Sequence, residues 1–248
     1  FLSTRDIIMR TRDSIRAFWE RHRLAIVLLY GMLYMMGFDY VERTVTTHFH
    51  VIHLPIDDFI PFCEFFIVPY LMWFAYVAFG VLYFMLHDRD EFYQLCIMLA
   101  TGMSLFIIIS ALYPNGHFLR PYYFTRDNIC IQLCKMIYSK DTATNLFPSI
   151  HVYNSLAIHL AFMKCKTLRR PALTRSISGV IASSIILSTM FVKQHSVFDV
   201  LCAFGLAFIM YQLVYSSNLV IQTHPDYRPV PARKPSKTSL QLAATKKL

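Results

Sequence analysis

Three short clusters hold the residues whose chemistry stands out in an otherwise apolar chain. The first is Arg120-Pro121, closing the run Tyr113-Pro-Asn-Gly-His-Phe-Leu-Arg-Pro121. The second is Pro148-Ser149-Ile150-His151, and the third is His195-Ser-Val-Phe-Asp199. His195 and Asp199 are four apart, so on a helix they share a face. A carboxylate there accepts the Nδ1 proton of the imidazole, which fixes the tautomer and leaves Nε2 as a nucleophile or base. His151 comes from another helix start, a suitable place for a general acid. Helix N-termini gather unpaired N–H groups and partial positive charge, a seat for phosphate. Ser149 adds a hydroxyl donor, Arg120 can grip phosphate bidentately, and Pro148 suits the first turn of its helix. Each cluster also has a plainer reading. His151 alone is equally an interface histidine, His195 and Asp199 a structural pair, and Arg120 a side chain snorkelling to a headgroup. A common location is what makes them a site.

The elements that must position them are membrane spans. Of 248 residues, 56% are hydrophobic and only 16% charged, against about a quarter charged in a soluble domain. This excludes a disordered or collagen-like chain. Phe65–Leu86 and Phe92–Tyr113 are each 22 residues without a charge. At 1.5 Å per residue each spans about 33 Å, enough for a hydrocarbon core of about 30 Å. Four weaker blocks accompany them, Leu24–Phe38, Pro148–Met163, Ser176–Val192 and Val200–Leu219. Continuous apolar runs argue against a barrel, whose strands alternate. The expected fold is an all-α integral membrane protein, a six-transmembrane-helix bundle with an N-terminal interfacial helix. Residues 1–23 form the amphipathic segment, with Ile7, Ile8, Ile15, Phe18 and Trp19 among six arginines; a plain solvated basic helix is the alternative. Residues 24–220 form the six-span domain, and residues 221–248 a disordered basic tail.

Six crossings put both termini on one side. That side holds 18 of the 24 Lys+Arg, and the other holds Arg43, Arg120, Arg126, Lys135, Lys140 and Lys193. The acids divide evenly, seven and eight, so the bias belongs to the cations. Positive charge stays inside. Both termini are therefore expected in the cytoplasm, and all three clusters on the extracytoplasmic or lumenal face. The net charge of +9 is a topology signal, with no nucleic-acid patch. The six cysteines show no CxxC and no zinc spacing; Cys130 and Cys134, one turn apart beside Ile129, Leu133 and Ile137, read as apolar filler. His48, His50 and His53 form a loose loop trio, either solvated or metal-binding, and His159 has a packing role.

Arg-Pro, then Pro-Ser-x-His, then His-x-x-x-Asp, in a six-span chain, resembles the type 2 phosphatidic acid phosphatase superfamily of integral membrane lipid phosphatases, in order and spans over residues 24–220. The resemblance implies that His195 is the nucleophile forming a phosphohistidine, with Asp199 as its partner. It implies that His151 protonates the leaving alcohol, that Arg120 and Ser149 bind the substrate phosphate, and that no metal or other cofactor is used. Three positions depart from the pattern. Tyr113 stands where the first motif usually has Lys, Ile150 where the second has Gly, and Ser188-Thr189 where the third has Ser-Arg. Lys193 is expected to replace one missing cation over the same phosphate. The pruned pattern is similar to the lipid phosphotransferase branch, which includes sphingomyelin and inositol-phosphorylceramide synthases, and the segment Leu54-Pro-Ile-Asp-Asp58 to Ile60-Pro61 also looks like that group.

The expected function is hydrolysis of a lipid phosphomonoester, phosphatidic acid-like or polyprenyl phosphate-like, at the extracytoplasmic membrane surface. The alternatives are transfer of a phospho-headgroup to a lipid alcohol, and a non-catalytic bundle whose His and Asp residues bind a metal or relay protons. The expected partners are the lipid phosphate substrate and membrane lipids.

Overall fold

The computed structural model describes residues 4–45 and 48–216, with side chains over 21–45 and 48–215. The expected tail, 221–248, and the apolar side chains of the expected interfacial segment lie outside the described residues. Seven α-helices follow in chain order: α1 (Thr4–Thr44), α2 (Ile67–His87), α3 (Arg89–Leu112), α4 (Ile129–Lys140), α5 (Ile150–Lys164), α6 (Pro171–Phe191) and α7 (Val197–Tyr211). Helix α1 runs unbroken through residues 23 and 24, so the backbone shows no boundary where the interfacial segment was expected to end.

Among the described residues, five stretches are long and apolar enough to cross a membrane: Arg21–Thr44, Glu64–His87, Arg89–Leu112, Pro171–Phe191 and Val197–Tyr215. They overlay five of the six expected spans. The other, expected over Pro148–Met163, is α5, whose 15 residues rise about 22 Å. Its weaker apolar character has a physical cause. Helix α5 packs against α2, α3, α6 and α7, so protein rather than lipid covers it. It therefore tolerates polar residues that find partners, as when Ser155 Oγ donates to the His151 carbonyl at 2.7 Å. His159 Nδ1 meets Ser178 Oγ at 3.1 Å and packs over Gly179, as its expected packing role requires.

Close approach of α3 and α5 depends on Gly102. A Cβ there would lie 2.0 Å from Tyr153 Cε1, and the fully buried Tyr153 donates its hydroxyl proton to the Met98 carbonyl at 2.7 Å.

At the end of the bundle where α5 and α7 begin, three loops are stitched together. Strand β1 (His50–Val51) pairs in parallel with β2 (Asn115–Gly116), and Gly116 bridges antiparallel to Thr144. The seam is tight: a Cβ on Gly116 would sit 2.6 Å from the Ala143 carbonyl oxygen. Buried Asn115 then accepts the amides of Leu146 at 2.8 Å and Phe147 at 3.0 Å, delivering the chain to the start of α5. From α1, the Glu42 carboxylate takes the Thr142 amide and hydroxyl and the Asn145 carboxamide. Asn145 itself adopts φ 56°, a left-handed conformation that Asn tolerates better than most residues. Helix α4 covers this region with Cys134, which is buried beside Ile67, Tyr70 and Val192; Ile129, expected on the same apolar side, is exposed.

The Gly102–Tyr153 contact is directly testable. Gly102→Ala should lower the thermal stability of the detergent-solubilised protein by at least the 1–3 kcal/mol typical of overpacking. Gly31→Ala and Gly205→Ala, with nothing within 4 Å of the added Cβ, should be neutral or stabilising by up to about 1 kcal/mol. Equal melting temperatures for Gly102→Ala and wild type would refute the close packing.

Candidate active site

The site is built where two helices begin. Ser149 caps α5, its Oγ accepting the Val152 amide at 3.4 Å, and places His151 in the first turn. Pro148 therefore lies one residue before the cap, and not in the first turn as expected. The His151 ring packs between Tyr70 and Trp73 of α2, with centroids 4.7 and 4.5 Å away.

Helix α7 is capped by Ser196 in a reciprocal box. Ser196 Oγ accepts the Phe198 amide at 3.1 Å, and Asp199 Oδ2 accepts the Ser196 amide at 2.9 Å. His195 consequently precedes the helix. The shared helical face expected for His195 and Asp199 is corrected: the cap, by folding the Asp199 carboxylate back, brings them together. His195 Nδ1 lies 3.6 Å from Asp199 Oδ2, and His195 Nε2 lies 3.4 Å from His151 Nδ1. The amide of Ser149 faces the Asp199 carbonyl at 3.4 Å, so the two helix starts touch. Between α6 and α7 the chain doubles back through Lys193, at φ 53°, and the amides of Gln194 and His195 share the Thr189 carbonyl.

Arg120 approaches from the second stitched loop. It donates to the carbonyls of Asp141 at 2.7 Å and Thr142 at 2.8 Å and to the Gln194 side chain, and it lies 4.6 Å over the Tyr138 ring. Gln194 is itself held by its carboxamide on Asp141 Oδ2 at 3.2 Å. Lys193 does not join this group. Its ammonium donates to the Asp57 carbonyl at 2.8 Å, so the expected place over the phosphate is corrected: the left-handed turn sends the side chain toward the loop between α1 and α2.

Electrostatics favour a neutral His195. Burial, reinforced by the nearby Arg120 charge, pushes His195 down to about 3, with the Leu146 carbonyl offsetting part of this. Burial also lowers Arg120 and Lys193 from their ordinary values and raises Asp141, with help from Glu42, to about 7. A neutral His195 whose Nδ1 faces a carboxylate carries its proton there and turns the Nε2 lone pair toward His151. His195 Nδ1, Asp199 Oδ1, His117 Nε2 and Arg120 Nε are buried without a hydrogen bond. Such atoms are uncommon in folded proteins, and each calls for a partner or a role.

His117 was not singled out from sequence, although it lies inside the Tyr113–Pro121 run. It is buried, and its Nδ1 accepts the Leu119 amide at 3.2 Å, which places its proton on Nε2. Burial lowers it to about 4, with the Gln194 backbone and the Asp199 charge offsetting part of this. Gln194 adjoins His195, a position that could have drawn notice. Glu42, Asp57 and Asn115 act through the fold; Glu42 left no local signal, and Asp57 and Asn115 entered only as members of longer runs. Of the loop histidines, His50 stacks on Tyr113 at 4.4 Å and His53 pairs with Asp58 at 2.9 Å. Among the described residues no group of three or more His, Cys, Asp or Glu side chains is arranged to hold a metal ion.

Compared with known proteins, residues 119–220 match the family model of the PAP2 superfamily. That stretch holds Arg120, Ser149, His151, Lys193, His195 and Asp199. No curated protein and no solved structure matches the chain.

The neutral state of His117 has a measurable consequence. An imidazole near 4 in the fold and about 6.5 when unfolded takes up a proton on unfolding in acid. Its stabilising contribution is complete above pH 6.5 and falls by up to about 1.4 kcal/mol per pH unit below that. In His117→Asn this loss should vanish, so the stability gap between wild type and variant should narrow as pH drops from 7.5 to 4.5. A gap independent of pH, measured by thermal unfolding, would refute the buried neutral imidazole.

Proposed function

We propose that the chain, whose residues 119–220 match the family model of the PAP2 superfamily, is a metal-independent lipid phosphate phosphatase working through a phosphohistidine on His195. The proposed molecule crosses the membrane six times, with α5 as the short, protein-covered crossing, both termini cytoplasmic and the site extracytoplasmic or lumenal. The observation that carries the reading is the alignment of Asp199, His195 and His151, with contacts of 3.6 and 3.4 Å on opposite nitrogens of one imidazole.

The chemistry follows from that order. His195 Nε2 attacks the phosphorus of a lipid phosphomonoester, and the bond to the lipid oxygen breaks. His151 supplies the proton to the departing alcohol. Asp199 stabilises the positive charge that develops on the His195 ring, as the carboxylate of a catalytic triad does. Arg120 and Ser149 hold the phosphoryl oxygens, whose charge needs donors fixed in advance. Water then attacks the phosphohistidine, its proton passes to His151, the phosphorus–nitrogen bond breaks, and inorganic phosphate leaves.

A second reading, transfer of a phospho-headgroup to a lipid alcohol, draws support from Lys193. With that ammonium on the Asp57 carbonyl, Arg120 is the cation the expected residue set offers to phosphate. One cation matches the single charge of a phosphodiester better than the double charge of a monoester.

One assay addresses both. Purified protein is given labelled lipid phosphates and phosphodiesters, with and without diacylglycerol or ceramide as acceptor. Free phosphate without acceptor supports the phosphatase, and new phospholipid formed only with acceptor supports the transferase. Wild type should carry acid-labile label and keep its rate in EDTA. His195→Ala should lose turnover by on the order of 10⁴-fold or more, and Asp199→Asn should lose less. Near-normal turnover by His195→Ala would refute both readings.

A further inference from the structure

Asp57 carries a buried carboxylate, 2% exposed, that the proposed chemistry does not use. It sits in the 3-10 turn Pro55–Asp58 between α1 and α2. Its Oδ1 accepts the Val197 amide at 2.8 Å, and its Oδ2 accepts the Ser196 hydroxyl at 2.6 Å and the Leu54 amide at 2.8 Å. Its own carbonyl accepts the Lys193 ammonium at 2.8 Å. Residues 193, 196 and 197 flank His195 on both sides.

We propose that Asp57 is a positioning residue for the His195 nucleophile, holding the Lys193–Val197 turn from outside and keeping the Asp199 carboxylate available to the imidazole. The inference rests on the phosphohistidine reading above. Two observations support it. The turn is weakly determined by its own backbone: Lys193 adopts a left-handed conformation, which is unfavourable for a residue with a side chain, and Gln194 and His195 share one acceptor. The start of α7 also presents more donors than one carboxylate can serve. Asp199 takes the Ser196 amide and Ser196 Oγ takes the Phe198 amide, leaving the Val197 amide and the Ser196 hydroxyl to Asp57. Without Asp57 those two donors lose the acceptor they have, and Asp199, the other carboxylate of the same cap, leaves His195 Nδ1 if it turns to serve them. A carboxylate suits this place because a helix N-terminus carries partial positive charge.

A role confined to capping α7 predicts lost stability with unchanged turnover per folded molecule, whereas positioning predicts altered chemistry at His195. The test uses full-length Asp57→Asn and Ser196→Ala, singly and together, each checked for folding by thermal unfolding in detergent. Asp57→Asn should lower kcat about 10- to 100-fold, as for small misplacement of a reacting group, with KM within about twofold of wild type. The two substitutions should be non-additive in kcat, since they remove the same contact. A second readout needs no substrate: modification of His195 by diethyl pyrocarbonate, followed by mass spectrometry, should quicken several-fold in Asp57→Asn. Wild-type kcat together with a wild-type modification rate in folded Asp57→Asn would overturn the proposal. If wild type turns over none of the lipid phosphates and phosphodiesters, the functional reading fails, and the modification rate alone decides whether Asp57 fixes His195.

Discussion

A helix that begins at a membrane edge presents backbone donors with little water to receive them, and the start of α7 is where this molecule meets that constraint. Each unpaired donor buried there costs about 1–3 kcal/mol. Asp57, Ser196 and Asp199 meet the demand together, and the placement of His195 follows from how they divide it. Because Asp199 closes the cap on Ser196, its carboxylate lies back over the residue preceding the helix, and that residue is His195. The start of α5 is built on the same plan by Ser149, and where the two caps touch, the two imidazoles lie with centroids 5.6 Å apart, tilted by 59°.

The arrangement around Arg120 has a similar logic. Its guanidinium bonds to two carbonyls and a carboxamide and lies over an aromatic ring. Asp141 is close, yet its side chain reaches the arginine through Gln194. The positive charge is therefore oriented by dipoles and left without a directly bonded counter-charge, the state in which a cation in a dry site attracts an anion most strongly. Glu42, which holds the loop supplying those carbonyls, ties α1 to the same end.

Much of this was legible in the sequence, and what was not has identifiable causes. Long uncharged runs such as Phe65–Leu86 declare a span because lipid contact imposes an apolar surface all round. Helix α5 escapes that rule because protein covers it. The three clusters were readable because Arg120, His151, His195 and Asp199 are chemically conspicuous within an apolar chain. Their relation was partly misread, since a spacing of four suggests a common helical face and cannot reveal that the helix starts after His195. Lys193 was misplaced because its direction depends on a left-handed turn that side-chain chemistry does not encode. Asp57 was recorded only as part of Leu54–Asp58, because its partners lie 139 and 140 residues away.

That separation orders events during synthesis. With 139 residues between Asp57 and Ser196, and translation at about 5–20 residues per second, the carboxylate emerges roughly 7–30 s before its partner. Glu42 precedes Thr142 by 100 residues in the same way. Through that interval both carboxylates must stay hydrated at the bilayer surface while the helices between them insert. The His151–His195 pair is thus among the last parts of the molecule to be assembled, and a polypeptide arrested before α7 leaves the Asp57 carboxylate without the Ser196 and Val197 donors that hold it in the finished fold. Such a product differs from the finished one in the hydration of that carboxylate, before any lipid is bound.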